Sequence, residues 1–304
     1  MERATIDIGG TVSIIEHGGS GPLIVCVHGL EGSAYNWNLI GPELAETHRV
    51  VAPDLSGFGY TAPTEGGTTV EANTDLVAEV IRHYGDEAIL IGNSMGGLIS
   101  MLTAEKYPDL VRGLVLLDPA APVTQWLKVS APSTARLTAP LIPGIGARLV
   151  EAYRANQTAE AGVEESMEFV TFDPDSLDAQ VWDDALEVAE LRRTQPWATK
   201  ALIDAGHSIA PYVLNRRRFT PVLHKLSQPT LLIHGMEDRL IQIQTARWMA
   251  RQRPDWTSVF LSEVGHVPML EAPGKVLQIV DAWLRAAFDE PVLEPVSASA
   301  SQRP

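Results

Sequence analysis

Between residues 23 and 120 the chain alternates two patterns of apolar residues. "LIVCVHG" (23–29), "RVVAPDL" (49–55), "AILIGNS" (88–94) and "VRGLVLLDP" (111–119) are largely apolar runs closed by Gly, Asp, Ser or Pro. Such runs predict strands covered on both faces. Between them, "TTVEANTDLVAEVIRHYG" (68–85) sets Val70, Leu76, Val77, Val80 and Ile81 roughly on one helical stripe, with Gly85 where a C-terminal cap belongs. After Ser94, "GLISMLTAEKYPDL" predicts a helix that Pro108 stops. Strand–helix–strand repetition points to an α/β class, with a mostly parallel sheet and helices on both faces. The N-terminal "MERATIDIGGTVSII" alternates polar and apolar residues, which predicts a strand pair across Gly9-Gly10 and not a signal peptide.

From about Pro122 to Leu226 the strand pattern lapses. "GARLVEAYRAN" (146–156) and "SLDAQVWDDALEVAELRR" (176–193) have helical periodicity, and prolines at 132, 140, 143 and 174 separate the pieces. This reads as an inserted helical subdomain over 122–226; further helices of the same layer are the alternative. Alternation returns with "PTLLIHGMED" (229–238), a helix around "QTARWMARQ" (244–252), "TSVFLSEVGHVP" (257–268) and an amphipathic "GKVLQIVDAWLRAAF" (274–288). The organisation expected is a core split into residues 1–121 and 227–289 around the insert. A Pro/Ser/Ala-rich tail, 290–304, is expected to be disordered.

Composition narrows the function classes. With 45% hydrophobic and 20% charged residues, the 304-residue chain can fill a core without a metal or disulfide staple. Its single cysteine, Cys26, excludes an intrachain disulfide framework and suits a reducing, cytoplasmic location. Cys26 is a poor nucleophile candidate, since burial in mid-strand favours the uncharged thiol. A formal net charge of -15 argues against nucleic acid or an anionic membrane as partner. No apolar stretch reaches transmembrane length. The oligomeric state is left open.

The candidate chemistry begins at Gly92-Asn93-Ser94-Met95-Gly96. This fits G-x-S-x-G in the setting that pattern requires, a strand before and a helix after. Glycines two residues to either side remove Cβ clashes and let a strained turn push the hydroxyl out at the top of the sheet. A serine needs a base to take its proton. His17, His48 and His83 lie in polar stretches and read as solvated, while His207 and His224 belong to the insert. His28 and His234 each precede a glycine at a strand end, where a histidine shapes a loop by hydrogen bonding. His266, in "EVGHVPMLEAP", sits in a loop after the last strand, held by Gly265 and Pro268, where a base can reach a neighbouring edge. An imidazole base needs an acid to set its tautomer. "LLIHGMEDRLI" offers Glu237 and Asp238 together; Asp238, one residue further past Gly235, is preferred and Glu237 is the spare. Two backbone donors for an oxyanion are expected from Met95 N–H, at the helix start, and Leu30 N–H, after His28-Gly29. Glu31 is expected to face away from that position.

"HGLEGSAYNW", "DLSGFGYT", "GNSMGG", "HGMEDR" and "GHVPMLEAP" stand in this order. Together they resemble an alpha/beta hydrolase with a lid, over roughly residues 5–288. The resemblance implies an eight-stranded sheet, a helical cap at 122–226, Ser94–Asp238–His266 as a catalytic triad and Leu30 and Met95 as oxyanion donors. It implies no cofactor and no metal. Haloalkane dehalogenases and soluble epoxide hydrolases of this fold use an aspartate where Ser94 stands. "GNSMGG" is similar to the elbow of the meta-cleavage-product hydrolases. That branch usually has tryptophan where this chain has Val267, and a glycine-rich loop in place of Leu30-Glu31-Gly32. Its substrate-holding cap arginine could be Arg192 or Arg193. The function expected is therefore a serine hydrolase of small or medium carboxylic esters. Carbon–carbon hydrolysis ranks second, with an acyltransferase or perhydrolase, or a ligand receptor of the same fold, as further alternatives.

Overall fold

The computed structural model describes residues 2–85, 87–122 and 144–288. Eight strands form one sheet: β1 (Glu2–Asp7), β2 (Thr11–Gly18), β3 (Leu23–Val27), β4 (Arg49–Pro53), β5 (Ala88–Asn93), β6 (Val111–Leu117), β7 (Thr230–Gly235) and β8 (Thr257–Leu261). Their order is β1-β2-β4-β3-β5-β6-β7-β8. β1 and β2 pair antiparallel across the Gly9-Gly10 turn and β2 meets β4 antiparallel; every other pairing is parallel. The apolar runs become the central strands because both faces are covered. In β3, Leu23, Val25 and Val27 join one core cluster while Ile24 and Cys26 join the other. β6 divides likewise, Leu114 and Leu116 from Val115 and Leu117. Burying each such aliphatic side chain contributes about 1.5–3 kcal/mol, so a polar residue in mid-strand would be costly on either face.

Helices α1 (Gly41–Leu44), α2 (Val70–Tyr84) and α3 (Met95–Lys106) fall in the first half of the core. Thr69 caps α2 by accepting from Ala72 N–H, and Val70, Leu76, Val77, Val80 and Ile81 are all buried, as the stripe predicts. Between β6 and β7 the described residues hold helices α4 (Gly146–Ala155), α5 (Ala159–Val170), α6 (Ala179–Thr194), α7 (Ala198–Val213) and α8 (Arg216–Lys225), with no strand among them. α9 (Ile243–Gln252), α10 (Pro268–Glu271) and α11 (Pro273–Phe288) complete the chain. The expected start of the insert, 123–143, and the tail 290–304 lie outside the described residues.

Polar contacts fasten α4 and α6 to the loops after β3 and β4. Glu187 of α6 accepts from the hydroxyls of Tyr35 (2.8 Å) and Tyr60, and Asp184 accepts from Asn38 Nδ2 at 2.7 Å. Arg154 of α4 meets Glu31 at 2.6 Å.

Two histidines depart from expectation. His17 and His48 are buried, not solvated. The His17 ring packs on Gly41, where a Cβ would come within 2.6 Å of it. Its polar sequence neighbours give no hint of that packing, which comes from α1 lying across β2.

Candidate active site

β5 runs apolar to Gly92 and ends on Asn93; α3 starts at Met95, leaving Ser94 alone at the turn. Its backbone sits at φ 55°, ψ −119°, outside the regions ordinary residues favour. Ser94 N–H donates to Leu117 O (3.0 Å), and its carbonyl accepts from Leu98 N–H (3.2 Å) and Ala120 N–H (2.8 Å), so both adjoining peptide groups are fixed. The flanking glycines are needed for close approach. A Cβ on Gly96 would lie 2.0 Å from Val27 O, and one on Gly92 would lie 2.5 Å from Gly96 O. Met95 occupies the first helical position, where an N–H has no intrahelical acceptor.

Across from this turn is the loop after β3. Gly32 N–H donates to Gly29 O at 3.1 Å, closing a turn with Leu30 and Glu31 at its corners. Glu31 has φ 59°, the positive value such a turn demands of its third residue. A Cβ on Gly29 would be 3.2 Å from Ser94 Cβ, so Leu30 follows directly on a residue that touches Ser94. The Glu31 carboxylate runs to α4 and α6, 2.6 Å from Arg154 Nη2 and 3.6 Å from Arg192 Nη1. Arg192 also donates to Glu31 O.

The acid and the imidazole come from the turn after β7 and the loop after β8. His266 Nδ1 lies 2.7 Å from Asp238 Oδ2. Asp238 Oδ1 accepts from Leu240 N–H (2.7 Å) and Ile241 N–H (2.9 Å), so both oxygens are engaged. Burial disfavours the Asp238 carboxylate, but the charge and hydrogen bond of His266, with help from His234 and Ile241 N–H, hold its carboxyl below the usual range. Because Nδ1 faces the acid, Nε2 is the ring nitrogen left for other chemistry. Glu237 turns elsewhere: its carboxylate accepts from Val264 N–H at 3.3 Å.

Residues that the pattern did not single out hold the His266 loop. Asn93 Nδ2 donates to both Leu117 O (3.1 Å) and His266 O (3.0 Å), tying the loop to the residue beside Ser94. The only sequence signal is a polar side chain at the end of a wholly apolar strand. Glu271 accepts from Gly265 N–H (3.0 Å), Val267 N–H (3.3 Å) and Phe172 N–H (2.6 Å), and His266 N–H donates to Val170 O at 2.7 Å. The His266 loop is thus stitched to the end of α5.

His28 and His234 shape loops, as expected. Leu55 N–H donates to His28 Nε2 (3.0 Å), which leaves Nδ1–H to donate to Gly29 O (2.8 Å). Burial lowers the pKa of both rings. Burial also pushes the Cys26 thiol up, in keeping with an inert side chain. Among the described residues, Asp118, His234 and Asp238 could offer three ligand atoms to a metal, all within 4.8 Å of one another. His234 Nε2 and Asp238 already bond to Ile241 O and to His266. The cluster therefore fits a hydrogen-bonded network better than an ion. No helix among the described residues is long and apolar enough to cross a membrane.

The alpha/beta hydrolase fold model matches residues 22–273. The chain is 30% identical over 268 residues to a 2-hydroxymuconate semialdehyde hydrolase from Pseudomonas sp. (strain CF600), covering 83% of this chain and 82% of that one. It is 25% identical over 271 residues to a pimeloyl-(acyl-carrier protein) methyl ester esterase from Aeromonas hydrophila, covering 89% and 98%. Among solved structures, a thermophilic esterase from Thermogutta terrifontis superposes with a TM-score of 0.71 at 25% identity, over 94% of this chain and 99% of that one. A strand-to-helix turn bearing a serine, an acid–imidazole pair at the same sheet edge and this span of likeness have one reading: the chain belongs to the alpha/beta hydrolase family and is a hydrolase of that fold.

Proposed function

We propose that the protein is a serine hydrolase that cleaves a small or medium carboxylic ester through an acyl-enzyme on Ser94. The observation that carries this reading is the 2.7 Å contact of His266 with Asp238, on a loop that Asn93 ties to the turn bearing Ser94. Ser94 Oγ attacks the ester carbonyl as His266 Nε2 takes its proton, and Asp238 stabilises the imidazolium. Leu30 N–H and Met95 N–H receive the oxyanion. The tetrahedral intermediate collapses, the leaving alkoxide takes the proton from Nε2, and Ser94 keeps the acyl group. Water, deprotonated by His266, then attacks the acyl carbon; the acid departs and the proton returns to Ser94. Helices α4 to α8 serve as the cap, with the substrate between them and the carboxyl ends of the strands.

Ser94→Ala is expected to lower kcat on short p-nitrophenyl esters by several powers of ten at a nearly unchanged melting temperature. Hydrolysis by the variant at the wild-type rate overturns the assignment.

A second reading is supported by the Pseudomonas relative, named for a 2-hydroxymuconate semialdehyde substrate, and by Arg192, 24% exposed beside the Leu30 loop. In it Arg192 would hold the carboxylate of a dienoate, and a carbon–carbon bond would break. Assaying a ring-fission dienoate beside esters of increasing acyl length separates the two. Efficient turnover of the dienoate alone would replace the ester reading.

A further inference from the structure

Behind the Asp238–His266 pair lies a carboxyl that this chemistry does not use. Asp118 follows β6, wholly buried, with φ at 44° although it is not glycine. A non-glycine residue held there is strained and persists only where its surroundings fix it. Here they do: Asp118 N–H donates to Ile233 O at 3.0 Å, and Asp118 Oδ1 accepts from Gly235 N–H at 2.9 Å. Both anchors belong to β7, the strand that leads to Asp238. Asp118 Oδ2 receives no donor among the described residues, and the Asp118 and Asp238 carboxyls lie within hydrogen-bonding reach of each other.

Two buried carboxyls in such contact cannot both be ionised, so one keeps a proton. Asp238 already accepts two backbone N–H groups and His266 Nδ1, whereas Asp118 accepts one N–H. The anion is therefore better supported on Asp238. We propose that Asp118 stays protonated and donates its O–H to the Asp238 carboxylate, as a positioning residue for the acid–imidazole pair. Burial first, and then the charge of Asp238, raise the Asp118 pKa well above the ordinary aspartate range. The groups facing it agree. His234 Nδ1 lies 3.4 Å from Asp118 Oδ1, but His234 Nε2 donates to Ile241 O at 2.7 Å and burial disfavours a second ring proton. Glu271 adds negative charge nearby, and His266 lies beyond Asp238. A donor on Asp238 draws part of its negative charge away from the hydrogen bond to His266 Nδ1.

The kinetic arm of the test rests on the proposed role of His266; the spectroscopic arm does not. Infrared spectra of protein labelled with 13C-aspartate, at neutral to mildly alkaline pH, should show the C=O stretch of a protonated aspartic acid. That band should shift in D2O and vanish in Asp118→Asn. Its absence from the wild type, or its persistence in the variant, overturns the proposal whether or not esters are hydrolysed. Asp118→Asn keeps a neutral donor on a residue type that tolerates positive φ. Its kcat/KM should stay within about threefold of wild type, with the acidic limb of the pH profile unmoved. Asp118→Gly tolerates the backbone but lacks the donor; kcat should fall about tenfold at unchanged KM and the acidic limb should move to higher pH. An acidic limb that drops in Asp118→Asn would mark Asp118 as a charged carboxylate, and one unmoved in Asp118→Gly would remove its positioning role.

Discussion

Ser94 shows how far one residue can be forced from its preferred geometry when its neighbours supply the means. At φ 55°, ψ −119° the Cβ is crowded by its own backbone, and three backbone hydrogen bonds hold it there. Alanine at this position would keep that Cβ, whereas glycine would remove it. Ser94→Gly should therefore be more stable than Ser94→Ala by about 1 kcal/mol, even after the extra flexibility glycine gives the unfolded chain. Equal urea midpoints for the two variants would show that the turn is not strained. The glycines at 92 and 96 were legible beforehand because each excludes a Cβ at a place the local pattern already marks. Asn93 was not legible: its task is a bond to a carbonyl 173 positions away in the chain.

At the level of elements, the loop between β8 and α10 depends on groups from three separate segments. Glu271 gathers N–H groups from Gly265, Val267 and Phe172, and burial raises its pKa despite those bonds. Glu271→Ala leaves three donors without their acceptor. It should cost about 2–4 kcal/mol in chemical denaturation and lower kcat more than it raises KM, because the displaced group is the proposed base, His266, and not the substrate surface. Unchanged kcat in a correctly folded variant would show that the loop holds its shape by other contacts. Helical periodicity anticipated α2, α4, α6, α9 and α11, while α3, buried along nearly its whole length, is marked by the glycine-flanked turn before it and Pro108 after it. The sequence pattern does not single out α5, α7 or α8, and of these α7 and α8 have Pro211 and Pro221 inside them. A proline removes one helical hydrogen bond and bends the axis, but α7 still buries Ala198, Ala201, Leu202, Ala205 and Tyr212. That packing outweighs the local penalty, and because the buried positions follow a helical period, it is the proline and not the lack of a stripe that masks α7 in the sequence.

For the molecule as a whole, buried histidines set the acid side of its stability. Burial takes His17 from 6.5 to about 4, and lowers His28 and His234 too. Below 6.5 the unfolded chain binds protons that the folded chain refuses, so stability rises with pH in this window and is lost as pH falls towards the folded value. His17 alone should contribute a slope of about 1.4 kcal/mol per pH unit between those two values. Urea titrations at successive pH values should show a shallower slope for His17→Leu, by about one proton's worth. Identical slopes would mean that the ring titrates normally in the native state.

Period and order along the chain were enough for the α/β class, the position of nearly every strand, the helical stretch between β6 and β7 and the Ser–acid–His sequence of candidate groups. These follow from local rules: an apolar run needs cover on both faces, a stripe needs one partner, and a glycine-flanked serine between strand and helix needs room. The folded chain alone decided which of Glu237 and Asp238 meets His266, that His17 and His48 are buried, and that Asn93, Glu271 and Asp118 surround the acid–imidazole pair. Each of those depends on a contact between segments far apart in the chain, and its energy comes from burial that exists only once the sheet and the helices on it have closed.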